Sequence, residues 1–391
     1  MHKLLLALLM VTNAVFAAHD PLISEIINKH LKQYSDAEHF SAIQVSIKTG
    51  NHLSSYTAGY RAIDSDVAVT MNDLFDIGSI TKSFTAVLTI FAENENKIKL
   101  EDTLGKYLPQ YAHWRDLTLT GLLNMSTGIP NYSNAPKINY LMSIDLKKYW
   151  SPAELIALIY SKEFNPPRQS GYFYSNTGYV LIDMILTAQY KMPYSQLLID
   201  KIIKPMGLEN TFYPEKNYST ELLQRMVRGY SYNIYDNPEL LGRDVTENNL
   251  SWAGAAGALV ANSEDVVKWV DDLFLNDKLL TIAQKSKMQQ VISLATGKPI
   301  AHTDKQNPRA FGLGIAQGYD EKFGHYWFYE GQTLGYRAYY MVIPCNKVTL
   351  VALFNSATNE DNDHGGALLA ALYEHLIKHE DAVVCPSEAV A

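Results

Sequence analysis

The sequence predicts an α/β (α+β) fold: an antiparallel sheet built from N- and C-terminal segments and flanked by helices, with a largely helical lobe inserted. Two observations predict it. Strand-like runs cluster at both ends of the chain, while helical spacing dominates from about residue 80 to 250, broken by loops such as GIPNYSN and NPPRQSG. With no internal repeat or long linker, the sheet lobe is expected over about 19–80 and 254–391, and the helical lobe over about 81–253.

Taken in order, the first element is MHKLLLALLMVTNAVFAAHD, with a short basic start at His2 and Lys3, an apolar run from Leu4 to Met10, and small residues at Ala14, Ala17 and Ala18. This layout is expected for a secretory signal over residues 1–18, cleaved near Ala17 or Ala18 to leave an exported protein, periplasmic or secreted. No segment offers the ~20 uninterrupted apolar residues of a membrane span. PLISEIINKHLKQY then spaces its apolar residues as a helix does, and SAIQVSIKTG with HLSSYTAGYRAI reads as two strands around a turn at Thr49-Gly50-Asn51. After the helical middle, AGAAGALVANSEDVVKWVDDLF gives a Gly/Ala turn and a helix beginning near Asn262 or Ser263. Glu264 and Asp265 suit its first turn, where the helix dipole favours negative charge. FGLGIAQGY, HYWFYEG, YRAYYMVIP and KVTLVALFN return to strand patterns before a final helix, GGALLAALYEHLIKH.

Composition narrows the function. The 391 residues are 47% hydrophobic, enough for a large core, and 33 Lys and Arg against 41 Asp and Glu leave a net charge of -8. Without a basic run to track a phosphate backbone, nucleic acid is not an expected partner. The 26 tyrosines read as scattered amphipathic packing. Cys345 and Cys385 are the two cysteines, at the start of a strand leaving and the end of a helix returning. A nine-residue strand spans ~30 Å and a helix of fifteen to eighteen residues roughly 22 to 27 Å, so a disulfide is expected, with a free buried pair as the alternative.

Three stretches can carry chemistry. In FDIGSITKSF, Ser79 precedes Lys82 by three residues, so the two share a helix face, and a lysine one turn away can take a serine's proton if burial lowers its pKa. Alone the pair carries little weight, because that spacing arises by chance about once in a chain of this size. The following residues are apolar enough for a buried helix, however, where an unpartnered lysine is costly. In GYFYSNTGYVLIDMI, Tyr174 and Asn176 flank Ser175 in a polar turn: a phenol can pass a proton, and an amide can hold an ammonium and a substrate carbonyl. In WFYEGQTLGYRAYYMV, Gly331 interrupts a strand where another backbone can come close and a strand N–H can face a tetrahedral intermediate.

Together, these stretches resemble the serine hydrolases of the β-lactamase and penicillin-binding-protein superfamily, in the branch of class C β-lactamases, D-alanyl-D-alanine carboxypeptidases, D-aminopeptidases and esterases. Phrases such as KIKLEDTLGKYLPQY, LTLTGLLNMSTGIPNYS and IIKPMGLENTFY extend the likeness over roughly residues 40 to 356. The resemblance implies a β-lactamase-like fold, with Ser79 as the acylated nucleophile, Lys82 and Tyr174 as proton carriers, Asn176 beside them, and the backbone N–H groups of Ser79 and Gln332 as the oxyanion hole. It implies no metal or organic cofactor. The family's third motif falls on Tyr329, Glu330 and Gly331, where a Lys or His is usual at the first position; its absence puts carboxylate-bearing substrates in doubt. Arg337, six residues past Gly331, is either a compensating anion site or a solvent-facing strand residue. The leading expectation is an acyl-enzyme hydrolase of D-alanyl peptides or β-lactams. An esterase or D-amino-acid amidase is the alternative, and a non-hydrolytic binding protein of the same fold is a third.

Overall fold

The Asp20 side chain accepts from Leu22 N and so starts helix α1 (Pro21–Glu38), with Pro21 where its missing N–H costs nothing. A hairpin follows, β1 (Ala42–Thr49) and β2 (His52–Gly59), turning at Gly50, whose φ of 57° suits a residue without Cβ. The structure, a computed structural model, describes residues 20–163, 166–234 and 237–379. The segment read as a secretory signal, up to Ala18, and Cys385 lie outside them.

The remaining elements that frame the site are α2 (Thr81–Asn94), α3 (Thr177–Tyr190) and α4 (Ser263–Phe274). Asn262 caps α4 by accepting from Asp265 N, as its position ahead of an acidic first turn predicts. Seven strands come next: β3 (Val291–Ser293), β4 (Pro299–Ile300), β5 (Arg309–Phe311), β6 (Ala316–Asp320), β7 (Gly324–Gln332), β8 (Arg337–Ile343) and β9 (Val348–Phe354). Helix α5 (Gly365–His379) closes the described chain. The strands form one sheet in the order β2-β1-β9-β8-β7-β6-β5-β3-β4, every neighbouring pair antiparallel. The N-terminal hairpin thus lies against the last strand, as an antiparallel sheet drawn from both ends of the chain requires.

Both faces of this sheet are covered, which explains why β8 and β9 are buried at every position rather than alternating. On one face, Tyr339, Met341 and Ile343 of β8 pack with Ile23 and Ile27 of α1 and with Leu368 and Leu372 of α5. On the other, Ala338, Tyr340 and Val342 join the larger core that holds α2, α3 and α4. The segment carrying Ser79 lies on this second side. Among the described residues Cys345 is not a free thiol, and no helix is long and apolar enough to cross a membrane.

Candidate active site

Phe75–Asp76 pairs with Val260–Ala261, and the chain then passes through a single 3-10 turn at Gly78–Ile80 directly into α2. Gly78 sits at φ 49°, and a β-carbon there would lie 2.6 Å from Gln332 N. A β-carbon on Gly331 would lie 2.0 Å from Ile77 O and 3.0 Å from Ser79 N. Both glycines are therefore needed where the Gly78–Ile80 turn meets the end of β7, and that approach brings together the backbone segments carrying the Ser79 and Gln332 N–H groups.

Lys82 lies in the first turn of a helix buried without interruption from Thr81 to Ile90, and it is 0% exposed. Its Nζ donates to Ser79 Oγ at 2.9 Å and to Ala256 O at 2.8 Å, with the rings of Tyr174 and Tyr179 at 5.0 and 5.4 Å. Among the described residues no carboxylate pairs with it. Burial therefore pulls its pKa below the ordinary lysine value, opposed by Tyr174. The hydroxyl of Tyr174 stands 2.6 Å from Ser79 Oγ, so the serine oxygen lies between two groups that can exchange a proton with it.

The loop carrying Tyr174 is held by Phe173 N donating to Met125 O and Asn176 N donating to Asn131 Oδ1. Asn176 is in the cluster, but it does not hold the lysine. Its Nδ2 donates to Ser133 Oγ at 3.0 Å, and its Oδ1 is buried without a partner among the described residues. The carbonyl of Ala256 takes the place expected for that amide. Tyr329 is buried against Phe311, its hydroxyl close to Tyr174 but making no hydrogen bond of ordinary geometry. Burial, followed by the neighbouring Tyr174, Tyr172 and Tyr179, holds this phenol well above its usual range. Four tyrosines, Tyr132, Tyr172, Tyr179 and Tyr329, thus gather around Tyr174.

Two expected substrate contacts are corrected by the register of β7 against β8. Cross-strand partners share a face: Tyr329 pairs with Tyr340 and Gly331 with Ala338, toward the larger core, whereas Glu330 pairs with Tyr339 and Gln332 with Arg337, toward α1 and α5. Glu330 thus points away from the cleft. Arg337 is neither an anion site nor solvent-facing: it is 0% exposed, and its guanidinium donates to Glu38 at 2.6 Å, to Asp363 at 2.9 Å and to Ser356 O at 2.9 Å.

Sequence reasoning missed Ala256, Asn131 and Ser133. A main-chain carbonyl leaves no side-chain signature, though the AGAAGAL run, whose small residues admit a close backbone, was its only trace. Among the described residues no group of three or more His, Cys, Asp or Glu can hold a metal. The assembled parts, a hydroxyl between two proton carriers and a pair of adjoining backbone segments, are those of acyl transfer.

Known proteins resemble this chain along most of its length. Residues 27–374 match the family model described as Beta-lactamase. Penicillin-binding protein 4* of Bacillus subtilis (strain 168) is 24% identical over 372 residues, covering 89% of this chain and 76% of that protein. Among solved structures, a D-amino acid amidase from Ochrobactrum anthropi SV3 complexed with L-phenylalanine has a TM-score of 0.77 at 22% identity, covering 92% of this chain and 99% of that one. A D-stereospecific amidohydrolase from Streptomyces sp. has a TM-score of 0.74 at 23% identity, covering 89% and 98%.

Proposed function

The chain belongs to the Beta-lactamase family, and from that premise we propose that it is an exported serine hydrolase acting through an acyl-enzyme at Ser79. Its substrates are amides or esters of small D-amino-acid derivatives with no carboxylate next to the scissile bond. The observation that carries the mechanism is the position of Ser79 Oγ, 2.9 Å from Lys82 Nζ and 2.6 Å from Tyr174 OH.

Ser79 Oγ attacks the carbonyl carbon as its proton passes to Lys82 and Tyr174, a pair able to carry it because burial lowers the lysine pKa. The Ser79 and Gln332 N–H groups stabilise the oxyanion. As the C–N or C–O bond breaks, the proton returns to the leaving amine or alkoxide, and water then reverses the sequence to release the acid. Asn176, its Oδ1 unpartnered, accepts from the substrate.

Substrate class rests on Tyr329. A lysine or histidine there would present a cation to a carboxylate; a buried neutral phenol does not, and Arg337 is committed to Glu38 and Asp363. The likeness to a D-amino acid amidase favours the amide side. The order of the three motifs and the likeness to penicillin-binding protein 4* favour the second reading, a D-alanyl-D-alanine carboxypeptidase or β-lactamase.

The test is intact-mass analysis after mixing with D-phenylalanine p-nitrophenyl ester and, separately, with benzylpenicillin. Faster acylation by the ester, mapped to Ser79 and absent in Ser79→Ala, is expected. An adduct that survives Ser79→Ala overturns the mechanism, and faster acylation by the penicillin favours the second reading.

A further inference from the structure

Asp76 is a fully buried carboxyl that the proposed mechanism does not use. It sits three residues before Ser79, on the short strand that leads into the nucleophile turn. Its Oδ2 accepts from Thr333 Oγ1 at 2.9 Å and its Oδ1 from Tyr218 OH at 2.9 Å, with the Asn248 amide as a further partner. Among the described residues no Lys, Arg or His pairs with it. A carboxyl without a cation in an apolar interior is costly, so its retention calls for a reason beyond packing.

Topology supplies the reason. Thr333 directly follows Gln332, the last residue of β7, while Asp76 directly precedes the Ile77-Gly78-Ser79 turn. The two backbone segments are already so close that neither Gly78 nor Gly331 tolerates a β-carbon. Van der Waals contact alone leaves such segments free to slide along each other; a hydrogen bond across the seam fixes their register. The partners continue around the site: Trp252 Nε1 donates to Asn248 Oδ1 at 3.1 Å, Tyr132 OH donates to Trp252 O at 2.6 Å, and Ser133, next in sequence, receives Asn176 Nδ2.

The geometry points to Asp76 as a positioning residue that, through Thr333, locks the Gln332 N–H against the Ser79 N–H and so sets the spacing of the oxyanion hole. This rests on the acyl-enzyme reading above. The titratable groups facing Asp76 are Tyr218 and Tyr336, both held well above their ordinary range by burial and by Asp76 itself. Burial raises Asp76 to about 7, while the bonds from Thr333, Tyr218 and Asn248 oppose that rise.

The experiment compares Thr333→Val, which keeps the shape and loses the hydroxyl, with Thr333→Ser, which keeps the hydroxyl, and with Tyr218→Phe as a second break in the same cluster. Acylation by D-phenylalanine p-nitrophenyl ester is followed as kcat and KM, and the Asp76 carboxyl is titrated by carbon-13 NMR. Loss of one oxyanion donor costs about 100- to 1000-fold in kcat, and a displaced donor less. Thr333→Val is expected to lower kcat about 10- to 100-fold with KM within about threefold, and Thr333→Ser to stay within about threefold of wild type. Removing a donor to the carboxylate should also raise the Asp76 midpoint in Thr333→Val and Tyr218→Phe. Wild-type kcat in Thr333→Val, or an equal loss in Thr333→Ser, overturns the inference. If the wild type turns over no ester, the acyl-enzyme reading has failed, and the NMR titration decides the strap alone: an unmoved Asp76 midpoint in both variants overturns it.

Discussion

Arg337 and Glu38 meet at 2.6 Å with neither side chain exposed, joining the strand after the Gly331 seam to the end of the first helix. Removing one member of such a pair leaves an uncompensated buried charge. Arg337→Met should destabilise the fold by about 3 to 5 kcal/mol, while the ratio of kcat/KM for a free-acid substrate over its methyl ester stays unchanged. Urea denaturation together with that ratio checks both halves; a collapsed preference for the free acid would return Arg337 to the cleft.

Lys82 and Tyr174 touch the same serine oxygen, so they should behave as one unit. Lys82→Ala and Tyr174→Phe should each slow acylation strongly, and the double variant should lose far less than the product of the single losses. Single-turnover rates with the activated ester measure this. A full product of effects would mean two independent pathways.

Tyr329→Lys puts a cation where the structure has a buried phenol. Preference for the free acid over its methyl ester should rise about tenfold to a hundredfold, equivalent to roughly 1.4 to 2.7 kcal/mol. Matched-pair kcat/KM values decide it, and a wild type that already prefers the free acid contradicts the reading of Tyr329.

Asp183 is buried in α3, its Oδ1 accepting only from Thr187 among the described residues, and burial raises its pKa to about 7. Because the folded state holds this proton more tightly than an ordinary carboxyl, its contribution is fully present below about pH 4 and is lost as pH rises through about 7. Asp183→Asn should therefore gain about 2 to 4 kcal/mol over wild type at pH 8 relative to pH 4. Urea midpoints across that range test the sign; a difference that shrinks with rising pH is inconsistent with it.

A disulfide between Cys345 and Cys385 would close a loop of about forty residues, worth roughly 4 kcal/mol in the chain-entropy account. Alkylation of the non-reduced protein should find no free thiol. Two alkylated cysteines would exclude the bond.

Legibility in the sequence followed physical locality. Ser79 and Lys82 could be paired from three-residue spacing and the apolar run of α2, both local properties. The sheet's strands could be read because burial on two faces writes near-continuous apolar runs, as in VTLVALF. Arg337 could not be placed, since its face depends on the turn through Thr333 and Tyr336, and a one-residue change there flips every following side chain. Glu330 was within reach: adjacent strand residues point to opposite faces, so a cleft-facing Tyr329 already excludes it. Asn176 kept its position but donates to Ser133 instead of holding Lys82, which donates to the Ala256 carbonyl, a partner that no residue type announces.

The adjacency of β1 and β9 sets a rule for synthesis. Ser79 and Lys82 leave the ribosome more than two hundred and fifty residues before the strand that completes their sheet. Gln332, the proposed second oxyanion donor, emerges almost as late. A chain truncated before β9 carries Ser79, Lys82, Tyr174 and Gln332 but lacks the strand that both β1 and β8 pair with. Pairings this distant also close slowly, so the sheet is complete only once the last strand docks between β1 and β8.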